Sequence, residues 1–178
     1  MTRIEWADLA AFTPDDVTPY AGALAAAYNI NATMLGNTQP MTVDDVVEHY
    51  AALQPPTAYP FVLLDGGKLA GDGDLRGIAG GTGEFAFLIA APSAQGKGLG
   101  TRFAIMVHAF AFGHLGLDRL YASVIPANIA SLRVFEKLGY IVDKQAAYGD
   151  VGDIVLAIDR ATFESRHTVA LSEIVVRA

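Results

Sequence analysis

Three alternate glycines, Gly96, Gly98 and Gly100, lie between two apolar segments, and this junction constrains the fold more than any other feature of the chain. The segment before them, residues 84–90, has the composition of a buried strand, and the segment after them, residues 99–112, is typical of an apolar helix. Glycine lets a chain turn sharply and lets backbone approach backbone closely. The sequence therefore predicts a strand that enters a helix through a glycine loop.

The segments around this junction predict a mixed sheet. A hairpin is predicted upstream, with strands near 60–64 and 69–78, and a strand follows the junction at 120–125. Because two strands that flank a helix pair in parallel, one parallel pair is expected in an otherwise antiparallel sheet. Further on, Asn128 can cap a helix that Gly139 ends, with a last strand at 154–158 and a weaker one near Ile141.

The first third of the chain is predicted to be mainly helical. Thr13, followed by a proline and two acids, is typical of a helix start, and Pro19 would break or restart that helix before it continues to Tyr28. Thr42 is a second capping residue, and Val46 and Tyr50 follow it on one apolar face.

Composition limits the class of protein. The 178 residues suit one domain, and the absence of cysteine excludes disulfides, thiolate metal sites and a cysteine nucleophile. The net charge of -7 disfavours nucleic-acid binding and favours a cationic partner. No apolar run is long enough for a membrane span, so we expect a cytoplasmic protein. The hydrophobic fraction of 52% indicates a deeply buried sheet or a subunit interface, and a homodimer is one possibility.

The glycine loop is suited to bind an anion. The first amides of a helix lack intrahelical partners, and the helix dipole favours negative charge there. Lys97 adds a cation and Thr101 a hydroxyl, so a phosphate or pyrophosphate is the expected ligand. The spacing fits neither a P-loop nor a dinucleotide fingerprint, in which the third glycine comes one residue later.

Two motifs resemble those of the GNAT acetyltransferases. Gln95-x-x-Gly98-x-Gly100 is similar to the family's coenzyme A loop, and the stretch 128–140 is similar to its second signature, Asn-x-x-(Ala/Ser)-x-x-(Phe/Leu/Tyr)-x-x-x-Gly-(Phe/Tyr). The likeness is strongest over residues 84–140 and is closest to the ribosomal-protein N-terminal acetyltransferase branch. It implies an α/β GNAT fold, with a mixed, mostly antiparallel sheet that is splayed near its middle and has helices on both faces.

The resemblance also implies a set of site residues. Acetyl-CoA is the expected co-substrate, with no metal, and the residues expected to bind it are Leu88, Ile89, Ala90, Gln95, Gly96, Lys97, Gly98, Leu99, Gly100, Thr101, Asn128 and Ser131. Glu84 matches a general base on the corresponding strand of related enzymes. Where many members place a tyrosine as general acid, this chain has Phe135, so Ser131 is the expected substitute, with Tyr140 and Tyr148 as alternatives.

The function implied is acetyl transfer to a primary amine, by direct attack on the thioester. The acceptor would be a small amine or a protein N-terminus, with no nucleic acid or membrane involved. Residues 1–178 would form one domain, in which 1–59 supply a strand and helices that shape the acceptor site. Residues 60–158 would be its core and 159–178 a tail packed on the sheet or on a partner subunit. The alternatives are a non-catalytic acyl-CoA-binding module and an enzyme that uses another nucleotide.

Other polar residues are predicted to be structural. The histidines lack the spacing of a metal site, and His108 is expected to be a hydrogen-bonded core residue. Asp72 and Asp74 resemble the start of a calcium loop, but later ligand positions fail, so an exposed hairpin is expected there.

Overall fold

The computed structural model describes residues 1–90, 94–146 and 149–178. Across these residues nine strands form one sheet: β1 Arg3–Trp6, β2 Leu9–Phe12, β3 Tyr59–Asp65, β4 Lys68–Ala79, β5 Thr82–Ile89, β6 Arg119–Val124, β7 Ile141–Val142, β8 Ile154–Asp159 and β9 Val175–Arg177. The helices in the same ranges are α1 Thr18–Ile30, α2 Ala32–Leu35, α3 Val43–Ala52, α4 Leu99–Ala109, α5 Ile129–Leu138, α6 Arg160–Arg166 and α7 Thr168–Glu173. A π-helical segment, Phe110–His114, continues α4.

The sheet opens between β5 and β6. The strand order is β7-β8-β6-β5-β4-β3-β2-β1-β9, and β5 and β6 are parallel, as predicted. Their ladder ends at Glu84 and Tyr121. Beyond that point β5 stays paired with β4 up to Ile89, while β6 stays paired with β8 up to Val124. The two strands therefore diverge and leave a gap in the middle of the sheet.

Helices cover both faces of the sheet. Neighbouring residues of a strand point to opposite faces, so apolar residues in a row give both faces a core to bury. Along β3, Phe61 and Leu63 belong to the core under α4, whereas Val62 belongs to a second core under α1 and α3. The α/β architecture expected from the sequence, with a mostly antiparallel sheet splayed near its middle, is confirmed. Among the residues described, none of the helices has both the length and the apolar character that crossing a bilayer requires.

Two predicted helix starts are confirmed. Thr42 caps α3, where its hydroxyl accepts from the Asp45 amide at 3.1 Å and the Asp45 carboxylate accepts from the Thr42 amide at 2.7 Å. Asn128 caps α5, and its Oδ1 accepts from the Ser131 amide at 3.1 Å. Gly139, which ends α5, has a φ of +105°, a conformation that glycine adopts without strain.

The helix start predicted at Thr13 is wrong. α1 begins at Thr18, with Pro19 in its first turn, where a missing N–H costs nothing. The Asp16 carboxylate accepts a hydrogen bond from the Thr18 amide at 2.8 Å, so this acid serves the helix start from outside it.

The C-terminal residues pack on the sheet. β9 pairs antiparallel with β1, so the tail supplies the strand beside β1 at one side of the sheet. Trp6 donates from its indole nitrogen to Glu173 at 2.8 Å, which ties the tail's last helix to β1.

Candidate functional site

The glycine loop brings the start of α4 close to the end of β5. Gly96 and Gly98 have φ values of +76° and +79°, in the left-handed region. A Cβ on Gly100 would lie 3.0 Å from Phe87 Cε2, so a larger residue would require the Phe87 ring to shift for the first turn of α4 to stay this close to the strand. The first residues of α4 therefore lie close to the end of β5.

A cleft of about 300 Å³ lies at this helix start. Its walls come from β5, the glycine loop and α5, and nine of the predicted cofactor residues line it: Leu88, Ile89, Gln95, Gly96, Gly98, Gly100, Thr101, Asn128 and Ser131. Thr101 Oγ1 is buried and makes no hydrogen bond within the described residues. A buried hydroxyl without a partner is costly, and an anionic ligand would supply its acceptor.

Three predicted cofactor residues lie outside the lining of this cleft. Leu99 is buried in the core, Lys97 is exposed on the loop, and the amide of Ala90 donates to the Ala70 carbonyl at 2.8 Å. Their side chains therefore do not face the cleft, and Ala90 has its amide engaged by the sheet.

Gln95 holds the loop in place. Its Nε2 donates to Asn31 Oδ1 and to the Ile89 carbonyl, both at 3.0 Å. Asn31 in turn donates to the Ala27 carbonyl at 2.8 Å, at the end of α1. Gln95 thus connects the glycine loop, the end of β5 and the N-terminal helices.

Two cations on α5 were missed from the sequence. Arg133 and Lys137 lie one turn apart and both line the cleft. Asn128, at the start of the same helix, also donates to the Met34 carbonyl at 3.0 Å. These cations are four residues apart in the helix that Asn128 caps, so they lie on one face of α5. That spacing is the sequence signal that could have identified them.

A second cavity, of about 370 Å³, occupies the gap between β5 and β6. Asn128 and Ser131 line both cavities, so the two meet at the start of α5. Glu84, Asp150 and Asp153 line the second cavity together with Arg76, so its wall carries more acidic than basic side chains.

Ser123 organises part of that wall. Its hydroxyl donates to the Asp153 carboxylate at 2.8 Å and accepts from the Asp150 amide at 3.1 Å. These residues were not predicted, because Ser123 belongs to no motif and the two acids lie in a polar loop without one.

Comparisons with known proteins decide the family. Residues 8–141, well over half of the chain, match the family described as Acetyltransferase (GNAT) domain. The chain belongs to the GNAT acetyltransferase family. Among curated proteins, Alpha/beta-tubulin-N-acetyltransferase 9 of Homo sapiens is 38% identical over 58 residues, which are 33% of this chain and 28% of that protein. The matched stretch therefore spans less than a third of that relative.

Solved structures share the fold over nearly the whole chain. RimJ of Mycobacterium smegmatis, in complex with CoA-disulfide, has a TM-score of 0.74 at 18% identity and covers 98% of this chain and 96% of its own. Ribosomal-protein-S5-alanine acetyltransferase of Vibrio fischeri has a TM-score of 0.69 at 20% identity, with 88% and 96% covered. Spermidine N-acetyltransferase of Vibrio cholerae, in complex with CoA and spermine, has a TM-score of 0.70 at 22% identity, with 88% and 98% covered. The ribosomal-protein branch expected from the motifs is among these neighbours.

Glu84 of this GNAT chain lies in the acidic cavity but is already paired. Arg76 donates to it through Nε and through Nη2, each at 3.2 Å, so both carboxylate oxygens accept from one guanidinium. The Glu84 side chain is 19% exposed.

Ser131 is the hydroxyl at the junction of the two cavities. Phe135 is buried in the core, and Tyr140 is buried as well, with its hydroxyl 2.6 Å from His108 Nε2. Burial raises the pKa of Tyr140 well above its usual value. Tyr148 lies outside the described residues, so Ser131 is the one of the three predicted donors that is shown to line these cavities.

The exposed hairpin expected at Asp72 and Asp74 is wrong, since both acids are buried in β4. Their side chains face α1 and α3, and Asp72 accepts from the hydroxyls of Tyr28 and Tyr50, each at 3.0 Å. Loss of water around the buried carboxyl raises the pKa of Asp72 to about 7. Two acids at alternate positions in a strand share one face, which is the signal that the hairpin interpretation overlooked.

Within the ranges described, no cluster of three or more histidines and acids has the geometry to hold a metal ion.

Proposed function

We propose that this chain transfers an acetyl group from acetyl-CoA to a primary amine. One observation carries the proposal: the anion-suited cleft at the start of α4 and the acid-lined cavity in the sheet meet at Asn128 and Ser131. An acyl donor held in the first and an amine held in the second would meet where the strands diverge. The acidic wall favours a cationic acceptor.

The residues present fit coenzyme A. The loop amides and Thr101 Oγ1 would bind its pyrophosphate, with Arg133 and Lys137 as nearby cations. Leu88 and Ile89 lie beyond the end of the β5–β6 ladder, so the edge of β5 that faces β6 is open to the amides of the pantetheine arm.

The chemistry would be a direct displacement. The neutral amine forms a C–N bond with the thioester carbonyl carbon, the C–S bond breaks, and the amine loses a proton. Glu84 would take that proton, directly or through water in its cavity, and Ser131 would relay a proton from water to the leaving thiolate, so that its own hydroxyl is restored. The two hydrogen bonds from Arg76 hold the Glu84 carboxylate in a fixed position in this cavity.

A non-catalytic acyl-CoA-binding module is the second candidate. Phe135 at the position of the usual tyrosine favours it, because a buried phenyl ring has no proton to donate. The two candidates differ in one readout, which is release of free thiol when acetyl-CoA and an amine are mixed with the protein.

The test is thiol release together with the mass of the product, over a panel of amines. Glu84→Gln is expected to lower kcat by about a hundredfold or more, the usual size of a general-base contribution, while the Kd for acetyl-CoA stays within about twofold. Glu136→Gln, an exposed acid on α5, is the matched control and should change neither. If acetyl-CoA binds but no amine in the panel is acetylated, the protein is a binding module.

A further inference from the structure

A third cavity, of about 180 Å³, lies beside β4 and β5 under the N-terminal helices, and its charged or ionisable lining residues are Asp74, Arg76, His49 and Tyr28. We propose that this cavity binds a second ammonium group of the acceptor, with Asp74 as its counter-ion. This inference rests on the proposed function and names the substrate class: a linear amine that carries two cationic nitrogens.

The Asp74 carboxylate has ion-pair partners, but one of its oxygens accepts no hydrogen bond in the part of the chain that the structure describes. Its side chain is 7% exposed, and its Oδ1 is buried and accepts no hydrogen bond within the described residues. The nearest cation to Oδ1 is Arg76 Nε at 3.5 Å, and His49 Nε2 lies 3.6 Å from Oδ2. A buried carboxylate without hydrogen bonds is unfavourable, and an ammonium group offers up to three donors.

The charges around Asp74 do not balance. Arg76 is shared between Asp74 and Glu84, so these three groups together carry one negative charge. Asp72, the next acid on the same face, is paired with two tyrosine hydroxyls and with no cation. His49 offsets this negative charge only when its imidazole is protonated. A ligand with a positive charge would restore neutrality in this partly closed space.

The walls suit an alkyl chain. Leu35, Met41, Phe87 and Leu88 line the cavity next to Asp74. Leu35, Phe87 and Leu88 also line the cleft at the glycine loop, so an apolar path joins Asp74 to the point of transfer. Methylene groups between two nitrogens would lie against these side chains.

Asp74 would hold the nitrogen that does not react. A nearby buried carboxylate stabilises the protonated form of an amine, and an ammonium has no lone pair with which to attack a carbonyl. The reacting nitrogen must therefore lie away from Asp74, toward Leu35 and Phe87, which also line the second cavity that contains Ser131. Two nitrogens on one chain satisfy both requirements.

The experiment compares putrescine with pentylamine, which replaces one ammonium by a methyl group at equal length. For the wild type, kcat/KM for putrescine should exceed that for pentylamine by roughly ten- to hundredfold, the usual range for a charged hydrogen-bonded group. Asp74→Asn should bring this ratio close to one by raising KM for putrescine, with kcat little changed. Glu48→Gln, an exposed acid on α3, removes the same charge and should leave the ratio intact.

The outcomes separate this proposal from the one it rests on. A wild-type ratio near one, with pentylamine acetylated, overturns the Asp74 subsite and leaves acetyl transfer in place. An equal fall in kcat for both amines in Asp74→Asn also overturns it, because the carboxylate would then act on the reacting nitrogen. If no amine is acetylated, the subsite is tested by calorimetric titration of the CoA-loaded wild type with putrescine. Saturable binding supports the Asp74 subsite, and absence of binding overturns it.

Discussion

The hydrogen bond between Tyr140 and His108 offers a sharp test of how a buried polar pair stabilises this fold. His108 is fully buried in α4, and its Nδ1 lies 2.7 Å from the Ala104 carbonyl. A carbonyl only accepts, so Nδ1 carries the hydrogen and Nε2 accepts from the Tyr140 hydroxyl at 2.6 Å. Burial lowers the pKa of His108 to about 3, which keeps the ring neutral.

Tyr140→Phe removes the donor and leaves His108 Nε2 buried without a partner. Such an orphaned group costs about 1–3 kcal/mol, and each kcal/mol lowers Tm by roughly 2–4 °C in a chain of this size. Adding His108→Leu removes the orphaned nitrogen. The double variant should therefore be less destabilised than the sum of the two single variants, by about 1 kcal/mol or more.

Urea unfolding at neutral pH, followed by circular dichroism, measures these differences. A Tyr140→Phe variant within about 0.3 kcal/mol of the wild type would refute the reasoning. The same variant tests chemistry as well. Its kcat for thiol release should equal that of the wild type well below its Tm, and a large fall would mean that Tyr140 donates a proton in the reaction.

Three further outcomes are expected. Thr42→Ala should lower the free energy of unfolding by about 1 kcal/mol through loss of the α3 capping box, and an unchanged urea midpoint would contradict this. Gly98→Asp should weaken acetyl-CoA binding at least tenfold, because a side chain at a φ of +79° is strained and its charge repels phosphate; unchanged affinity would remove the loop from the site. His108 and Asp72 should give opposite pH dependences of stability. Between pH values of about 6.5 and 3, His108 is protonated in the unfolded chain but not in the folded chain, so stability falls as pH decreases. Between about 3.8 and 7, Asp72 is protonated in the folded chain but not in the unfolded chain, so stability falls as pH rises. In urea titrations across this range His108→Leu should gain stability toward acid relative to the wild type and Asp72→Asn should lose it, and parallel profiles would contradict both assignments.

The centre of the fold was predictable because its signals are local. The strand before Gly96, the capped helix from Asn128 to Gly139 and the parallel pairing across α4 all follow from residues close together in sequence. The strands at the edge of the sheet were not predictable from local sequence signals. β9 pairs with β1 from the other end of the chain, and short edge strands carry little periodicity.

The same distinction between local and long-range signals applies to the candidate site. The loop residues belong to one continuous motif, and most of them line the cleft. The partner of Glu84 was hidden because Arg76 on β4 reaches this acid only after β4 and β5 pair, whereas Asp74 lies two residues from Arg76 on the same strand. Likewise, the contact of Gln95 with Asn31 joins the glycine loop to a helix 64 residues away, a separation that no local pattern reveals.

The most direct test of the central claim is calorimetric titration of the purified chain with acetyl-CoA, beside NADH and ATP and beside a Thr101→Val variant. We predict saturable binding of one acetyl-CoA per chain, no comparable binding of the other two nucleotides, and a loss of affinity of roughly tenfold in the variant, because the buried hydroxyl can no longer bond the ligand. A folded protein that does not bind acetyl-CoA would contradict the account and would leave the glycine loop as a turn between β5 and α4.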